Sequence, residues 1–246
     1  MTKYGSADVA FLLFGGRDIK GFMTTVNLTR EAKIEETTGL GVADETHAKV
    51  GVNMARLTQS GFFDDAAGAS NEALVGLAET VAAIGLAGNV IGRAFIGMDG
   101  AIQATYDRNP SKDELHKAAA AMTMDGAVEE GVILHELSAE TSDPGDTESD
   151  SVDNAASSAN GGAGYLEVTA LALGGYTSVQ VTIRDSADDI SFADHSDGAF
   201  AVVTVTNTAE RIPLTGTIRR YAAIDWDFIG SGSSQSITFM VGLVRA

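Results

Sequence analysis

The sequence predicts a mainly β protein: an N-terminal β-sandwich or barrel with one packed α-helix and a long hairpin arm, followed by a C-terminal β-sandwich. Three observations lead there. Apolar and β-branched residues alternate with polar ones in many short runs, the pattern of strands with one wet face. The chain carries 28 glycines against 3 prolines, so turns are frequent and a proline-rich linker is absent. Only one long segment has the spacing of an amphipathic helix.

In chain order, Ser6 to Phe14 reads as a first strand turned by Gly15-Gly16, and Met23 to Thr38 as a longer one. In that second strand Leu28, Ala32 and Ile34 share one parity, and Thr29, Glu31, Lys33, Glu35 and Thr37 the other. A loop from Gly39 to about Lys49 follows, long for a hairpin connection, with Leu40 and Val42 its main apolar residues. The next strand, Val50 to Phe63, sets Ala55, Leu57 and Gly61 on one face and Arg56, Thr58 and Ser60 on the other. Such charged faces belong either to a solvent-facing sheet or to the inner wall of a channel. A long arm with no core of its own packs most cheaply on another copy of the same chain.

Asn71 to about Ala87 is the predicted helix, with Leu74, Leu77, Val81 and Ile84 as its apolar stripe and Glu72 in its first turn. Strands follow at Arg93–Gly97 and Ala101–Arg108. His116–Met124 and Ala127–Glu136 then read as a hairpin over Asp125-Gly126, although Ala118–Ala121 also suits a helix. Ser138 to Asp153 is small, acidic and contains Pro144-Gly145, so the domains are placed at residues 1–140 and 154–246 with an acidic linker at 141–153. Beyond it, runs at 165–173, 178–183, 199–205, 211–214, 218–228 and 236–244 give a sandwich of roughly seven or eight strands, Ig-like or jelly-roll.

The net charge of −18 argues against electrostatic capture of nucleic acid, which needs clustered Lys and Arg. It is divided unevenly: 11 basic against 19 acidic residues precede Ser138, and 5 against 15 follow. An acidic surface serves solubility, or else lets DNA pass without sticking. The absence of cysteine removes disulfides, thiolate metal sites and cysteine nucleophiles. Val9–Phe14 is too short for a signal sequence, and Ala73–Ala87, interrupted by Glu79, falls short of a membrane span. The expectation is a protein made in the cytoplasm with no membrane partner.

Catalytic signatures are missing: no G-x-S-x-G, P-loop, H-E-x-x-H or G-x-G-x-x-G after a strand. His47, His116, His135 and His195 are far apart. Asp185, Asp188, Asp189, Asp194 and Asp197 do not match an EF-hand and are better read as turn residues. Glu129-Glu130 and Asp64-Asp65 are adjacent, so on a strand each pair splits between faces. Asn27-Leu28-Thr29 matches a glycosylation acceptor, which means little without a secretory signal. Trp226, the single tryptophan, is assigned to a core. Neither an enzyme nor a cofactor nor a metal is expected.

The block EETTGLG…ETH…VG…ARLTQSGFFDD resembles the tail tube (major tail) proteins of long-tailed bacteriophages. YGSADVAFLLFGGRDI and ELHKAAAAMTMDGAVEEGVILHEL fit the same family. GGAGYLEVTAL, RDSADD…FAD, RRYAAIDW and ITFMVGLVRA resemble the add-on domain that some of these proteins carry. No one of these motifs is diagnostic by itself. The resemblance implies a structural virion protein whose hexameric rings stack into a tube, with a tape-measure protein and tail-end proteins as further partners. It also implies that the inter-subunit arm comprises Gly39, Leu40, Gly41, Val42, Asp44, Glu45, His47, Lys49 and Val50. The bore would then be lined by the wet faces: Glu31, Lys33, Glu35, Arg56, Thr58 and Ser60, with Glu129 or Glu130. DNA would slide past an acidic or neutral wall, repelled over a Debye length of about 8 Å. The competing expectation is a monomeric two-domain carbohydrate-binding or adhesin-like module, which needs exposed aromatics; Tyr165, Tyr176 and Tyr221 are the residues on offer.

Overall fold

The structure, a computed structural model, describes residues 8–36, 47–66, 69–75, 79–110, 112–143 and 150–246, with backbone only at 32–36 and 47–54. Apart from a 3-10 turn at Lys20–Phe22, it begins with β1 (Leu12–Phe14), β2 (Arg17–Asp18), β3 (Met23–Glu36), β4 (His47–Phe62), α1 (Ser70–Leu74), β5 (Thr80–Gly85) and β6 (Ala94–Asn109). Then come β7 (Lys117–Met124), β8 (Val128–Glu140), β9 (Val152–Asp153), β10 (Gly162–Ala172) and β11 (Ser178–Ser186). β12 (Ala193–Ala199), β13 (Thr208–Leu214), β14 (Tyr221–Ile229) and β15 (Ser236–Arg245) complete the set. The protein is mainly β, as its alternation predicts, and every strand pairing with a described register is antiparallel.

The chain divides into two compact units, and the division does not follow the acidic stretch at 138–153. Unit 1 comprises Met1–Gly21, Thr80–Asp99 and Ala127–Ala246; unit 2 comprises Phe22–Glu79 and Gly100–Gly126. Strand pairing explains why. β15, from the expected C-terminal domain, lies between β10 and β8, pairing Ile237 with Glu140 and Leu243 with Val132. A run of Asp, Ser and Gly marks a connection but says nothing about which distant strands it joins.

Unit 1 contains the order β13-β10-β15-β8-β6-β5-β1-β2 and a second sheet, β12-β11-β14-β9. One core, including Leu134, Leu166, Val168, Phe239 and Val241 from the first sheet and Val179, Val181, Ile183 and Phe228 from the second, fills a sandwich. A separate cluster of Phe11, Leu13, Val81, Phe95, Ile133, Tyr165, Met240 and Val244 covers the opposite parity of β10 and β15. These strands are buried on both sides, so their sequences read as continuous apolar runs. Gly15 and Gly16, both at positive φ (54° and 76°), make the two-residue turn between β1 and β2 that only such left-handed residues allow.

Unit 2 is a four-stranded sheet, β3-β4-β7-β6, in which β6 contributes its part beyond Gly100. α1 stands over one face: Tyr106 Oη on β6 donates to Asn71 Oδ1 at 3.0 Å, and Ser70 Oγ donates to Phe62 O at 2.9 Å. That face holds Leu57, Ala118, Ala120 and Met122, all buried.

Two local expectations are overturned. The predicted helix over 71–87 stops at Leu74, and Thr80–Gly85 is strand β5, pairing Leu12 with Ile84 and Phe14 with Ala82. Val81, Ala82, Ala83 and Ile84 are all buried; a continuous apolar run satisfies either period, and strand partners decide. Asp125-Gly126 does not close a hairpin. β7 pairs with β4 and the later part of β6, whereas β8 pairs with the earlier part of β6 and with β15. The left-handed glycine at this place is Gly100 (φ 60°), and Gly126 is not among the positive-φ residues.

Candidate functional site

The polar face of the unit 2 sheet is the best-formed candidate surface. Strand register lays its side chains in rows: Thr29, Arg56 and Thr123 in one; Asn27, Thr58, Ala121 and Thr105 in the next; then Thr25, Ser60, Ala119 and Asp107. Alternation along β4 is strict, with Ala55, Leu57, Gln59 and Gly61 buried and Arg56, Thr58 and Ser60 exposed or half-buried. The parity read from sequence for this strand is therefore the observed one. Two adjoining depressions lie on the face, of about 520 Å³ beside Asn27, Thr29, Glu31 and Arg56 and about 290 Å³ beside Thr25, Ser60, Thr105 and Asp107. Both are lined mainly by hydroxyls and methyl groups, with charge confined to Glu31, Arg56 and Asp107. Glu31 is one pair diagonal to Arg56, since Thr29 is the residue directly opposite.

Of the other bore candidates, Lys33 and Glu35 lie on β3, where the backbone alone is described. In the arm, Gly39, Leu40, Gly41, Val42, Asp44 and Glu45 lie outside the described residues. His47, Lys49 and Val50 belong to β4, whose backbone pairs His47 with Glu36 and Lys49 with Ile34. β4 thus begins at His47, three residues before the expected Val50, while β3 is described as far as Glu36.

Glu129 and Glu130 fall in unit 1. Glu130 is exposed, but Glu129 is half-buried and held by a bidentate pair: Arg211 Nε donates to its Oε2 at 2.9 Å and Arg211 Nη2 to its Oε1 at 3.0 Å. Tyr165 Oη donates to the same Oε2 at 2.6 Å. Burial pushes the Glu129 carboxyl up, but the hydrogen bonds from Arg211 and Tyr165 outweigh it and leave it below its ordinary range. Burial pushes the Tyr165 hydroxyl upward, and the Glu129 acceptor adds to the effect. Glu129 is an anion already neutralised by a cation.

No family model matches the chain, and no curated protein matches it. Among solved structures it is similar to a chain of the virion of a native gene transfer agent particle, at 15% identity and a TM-score of 0.39, over 51% of this chain and 97% of that one. It is also similar to a chain from the tail of an empty particle of that kind with C6 symmetry (14% identity, TM-score 0.39, 51% of this chain and 97% of that one). A third is the SPP1 Dit protein, described as a hub adsorption apparatus in phages infecting Gram-positive hosts (12%, 0.34, 96% and 98%). These likenesses are low and fix no family.

The aromatics that a sugar-binding module would need are otherwise engaged. Tyr165 is fully buried, Tyr176 is packed against the sandwich core, and the Arg220 guanidinium lies over the Tyr221 ring at 4.8 Å. Of the clustered aspartates only Asp188 and Asp189 lie in a turn; contrary to expectation, Asp185 is on β11 and Asp194 and Asp197 are on β12. They have protein partners: Asp188 Oδ1 accepts from the backbone N–H of Ile190 and Ser191, Asp194 pairs with Arg184 at 3.2 Å, and buried Asp185 accepts from Arg219 N. Among the described residues no group of three acidic or histidine side chains is arranged to hold a metal, and no helix is long and apolar enough to cross a membrane.

Sequence reasoning missed Glu167. It sits on β10, fully buried, with Oε2 accepting from Gly16 N at 2.6 Å and Oε1 without a partner. Burial holds its carboxyl well above the ordinary range, only partly offset by Gly16. It also missed Gly97 and Gly242, where an added Cβ would meet the rings of Tyr165 (2.5 Å) and Phe95 (2.3 Å). Glycine inside a strand was the available signal, because it marks a close approach.

Proposed function

We propose that the chain is a structural subunit of a phage tail that polymerises as stacked hexameric rings into the tail tube, an acidic conduit for DNA ejection in the virion. One observation carries this reading. β3 is 14 residues long and pairs only with β4 among the described residues, while Thr24, Thr25, Val26 and Asn27 are exposed. A long bare edge recruits another strand, and in a well-behaved protein a sibling subunit completes it. Head-to-tail contacts of this kind close into rings when the rotation allows. The face of small hydroxyls, with Glu31, Lys33, Glu35, Arg56, Thr58 and Ser60, then lines the bore. Residues 39–50 staple successive rings, and the tape-measure and tail-end proteins are the heterologous partners.

Negative-stain microscopy of purified protein before and after concentration tests the proposal: rings or tubes are expected. Val26→Lys, which adds a charge at the bare edge, is expected to prevent them while leaving a folded monomer by circular dichroism. Deleting Gly41 to Lys49 is expected to abolish tubes, and tubes that persist would refute the arm's role. Monodisperse small particles at every concentration would remove the conduit altogether.

A further inference from the structure

His135, on β8, is a buried titratable group that the proposed tube does not use. Its ring stacks on Phe239 of β15 (centroids 4.2 Å apart, planes at 5°) and meets Trp226 of β14 edge-on at 5.1 Å. The residue is 7% exposed, and its Nδ1 has no hydrogen-bond partner. Its Nε2 is 3.6 Å from Glu140 Oε1, which Ser138 Oγ also holds at 2.9 Å. The chain leaving β8 is fastened across the same aromatic group by two bonds: Trp226 Nε1 donates to Ser142 O at 3.0 Å, and Gln235 Nε2 donates to Thr141 O at 2.9 Å. Thr141, Ser142 and Asp143 are themselves exposed.

We propose that His135 and the strap Glu140–Asp143 form a pH-operated latch over the aromatic floor of Trp226 and Phe239, closed while the imidazole is neutral and released when it takes up a proton. The charged groups around it are all acidic. Glu136 and Glu140 lie on its own strand and Asp143 on the strap. Asp225 and Asp227 flank Trp226 on the other parity of β14, and β15 offers only Thr238 and Met240 beside Phe239. These carboxylates favour the proton, but burial opposes it more strongly, so the ring holds its proton less well than in water. Opening admits water to the ring and removes that cost. A proton shifts the latch only by its differential affinity for the two states, and here the open one binds it better. The closed form is therefore favoured above the ordinary histidine range and is lost as pH falls through it. What opens is the indole of Trp226 and the backbone entering the acidic stretch that precedes β9.

Trp226 is the single tryptophan, so its fluorescence reports the latch directly. Acrylamide quenching of the full chain is expected to rise about twofold between pH 8 and pH 5, across the ordinary histidine value of about 6.5, with the far-ultraviolet dichroism unchanged. His135→Phe keeps the stack and lacks the proton, and its quenching is expected to be equal at both pH values. Glu140→Gln, at a partly exposed position, removes a carboxylate that helps the closed form tolerate the proton and is expected to move the transition to higher pH. An unchanged wild-type constant, a rise that persists in His135→Phe, or a rise accompanied by lost strand signal overturns the latch.

Discussion

Glu167 and Tyr165, two residues apart on β10, show how one strand face handles polar atoms under burial. The Tyr165 hydroxyl has both Glu129 and Arg211 as partners, whereas Glu167 has one backbone N–H for two oxygens. Removing the hydroxyl in Tyr165→Phe leaves the Glu129–Arg211 pair intact, and chemical denaturation is expected to show a loss of about 1 kcal/mol. Glu167 behaves differently because its folded-state pKa is raised. The unfolded chain releases that proton first, so the cost to the fold is absent below the ordinary carboxylate range. It grows as pH rises above that range, with a limiting slope of about 1.4 kcal/mol per pH unit. Thermal unfolding of Glu167→Gln against wild type is expected to give equal midpoints near pH 4 and a growing advantage for the variant toward pH 8. Comparing the two proteins cancels the opposite trend from His135. Neither residue was legible in sequence as a buried polar group: Glu167 alternates with Leu166 and Val168 as an outward residue of a two-faced strand would. It is the Gly15-Gly16 turn leading into β2, packed on that face of β10, that meets its carboxylate.

At the level of strands, local structure is legible in the sequence where one face is wet and ambiguous where neither is. β4 was placed with the correct parity because Arg56, Thr58 and Ser60 meet solvent. β5 suits a helix equally well by pattern because Val81 to Ile84 are buried throughout. Asp125-Gly126 misled for another reason. The signal assumes that flanking strands pair with each other, but β6 is long enough to pair with both. The demanding backbone position there is Gly100, where a Cβ would also meet Gly126 N at 2.8 Å. Gly100→Ala is expected to cost about 1 kcal/mol or more in thermal or denaturant unfolding, as left-handed positions do for residues bearing a Cβ. The charge pattern of the candidate bore was visible in β3 and β4. Its small-residue character was not, because Thr123, Ala121 and Thr105 join it only through the register of β7 and β6.

Across the whole molecule, composition foretold the acidity but not how thoroughly the cations are used. All five arginines after Ser138 are occupied: Arg184 with Asp194, Arg211 with Glu129, Arg219 with Asp185, Arg220 with Asp153, and Arg245 with the carbonyls of Asn154 and Ala156. The protein is accordingly expected to pass unretained over heparin or duplex DNA at physiological salt, and retention would contradict the repulsive-wall reading. The expected boundary also has a direct test. A fragment of residues 154–246 lacks β8 and Leu134, leaving β15 unpaired on one side. It is expected to give a collapsed amide spectrum, where an independent domain would give a dispersed one.

The position of β15 constrains how a ribosome can deliver this protein. Unit 2 has all of its strands once Gly126 has emerged, whereas β8 and β10 wait with an empty slot between them until the last strand of the described chain arrives to fill it. Between the emergence of β10 and that of β15 the nascent polypeptide therefore carries one finished module and one held open. A stall before Ser236 would release a polypeptide whose larger sheet is missing its central strand.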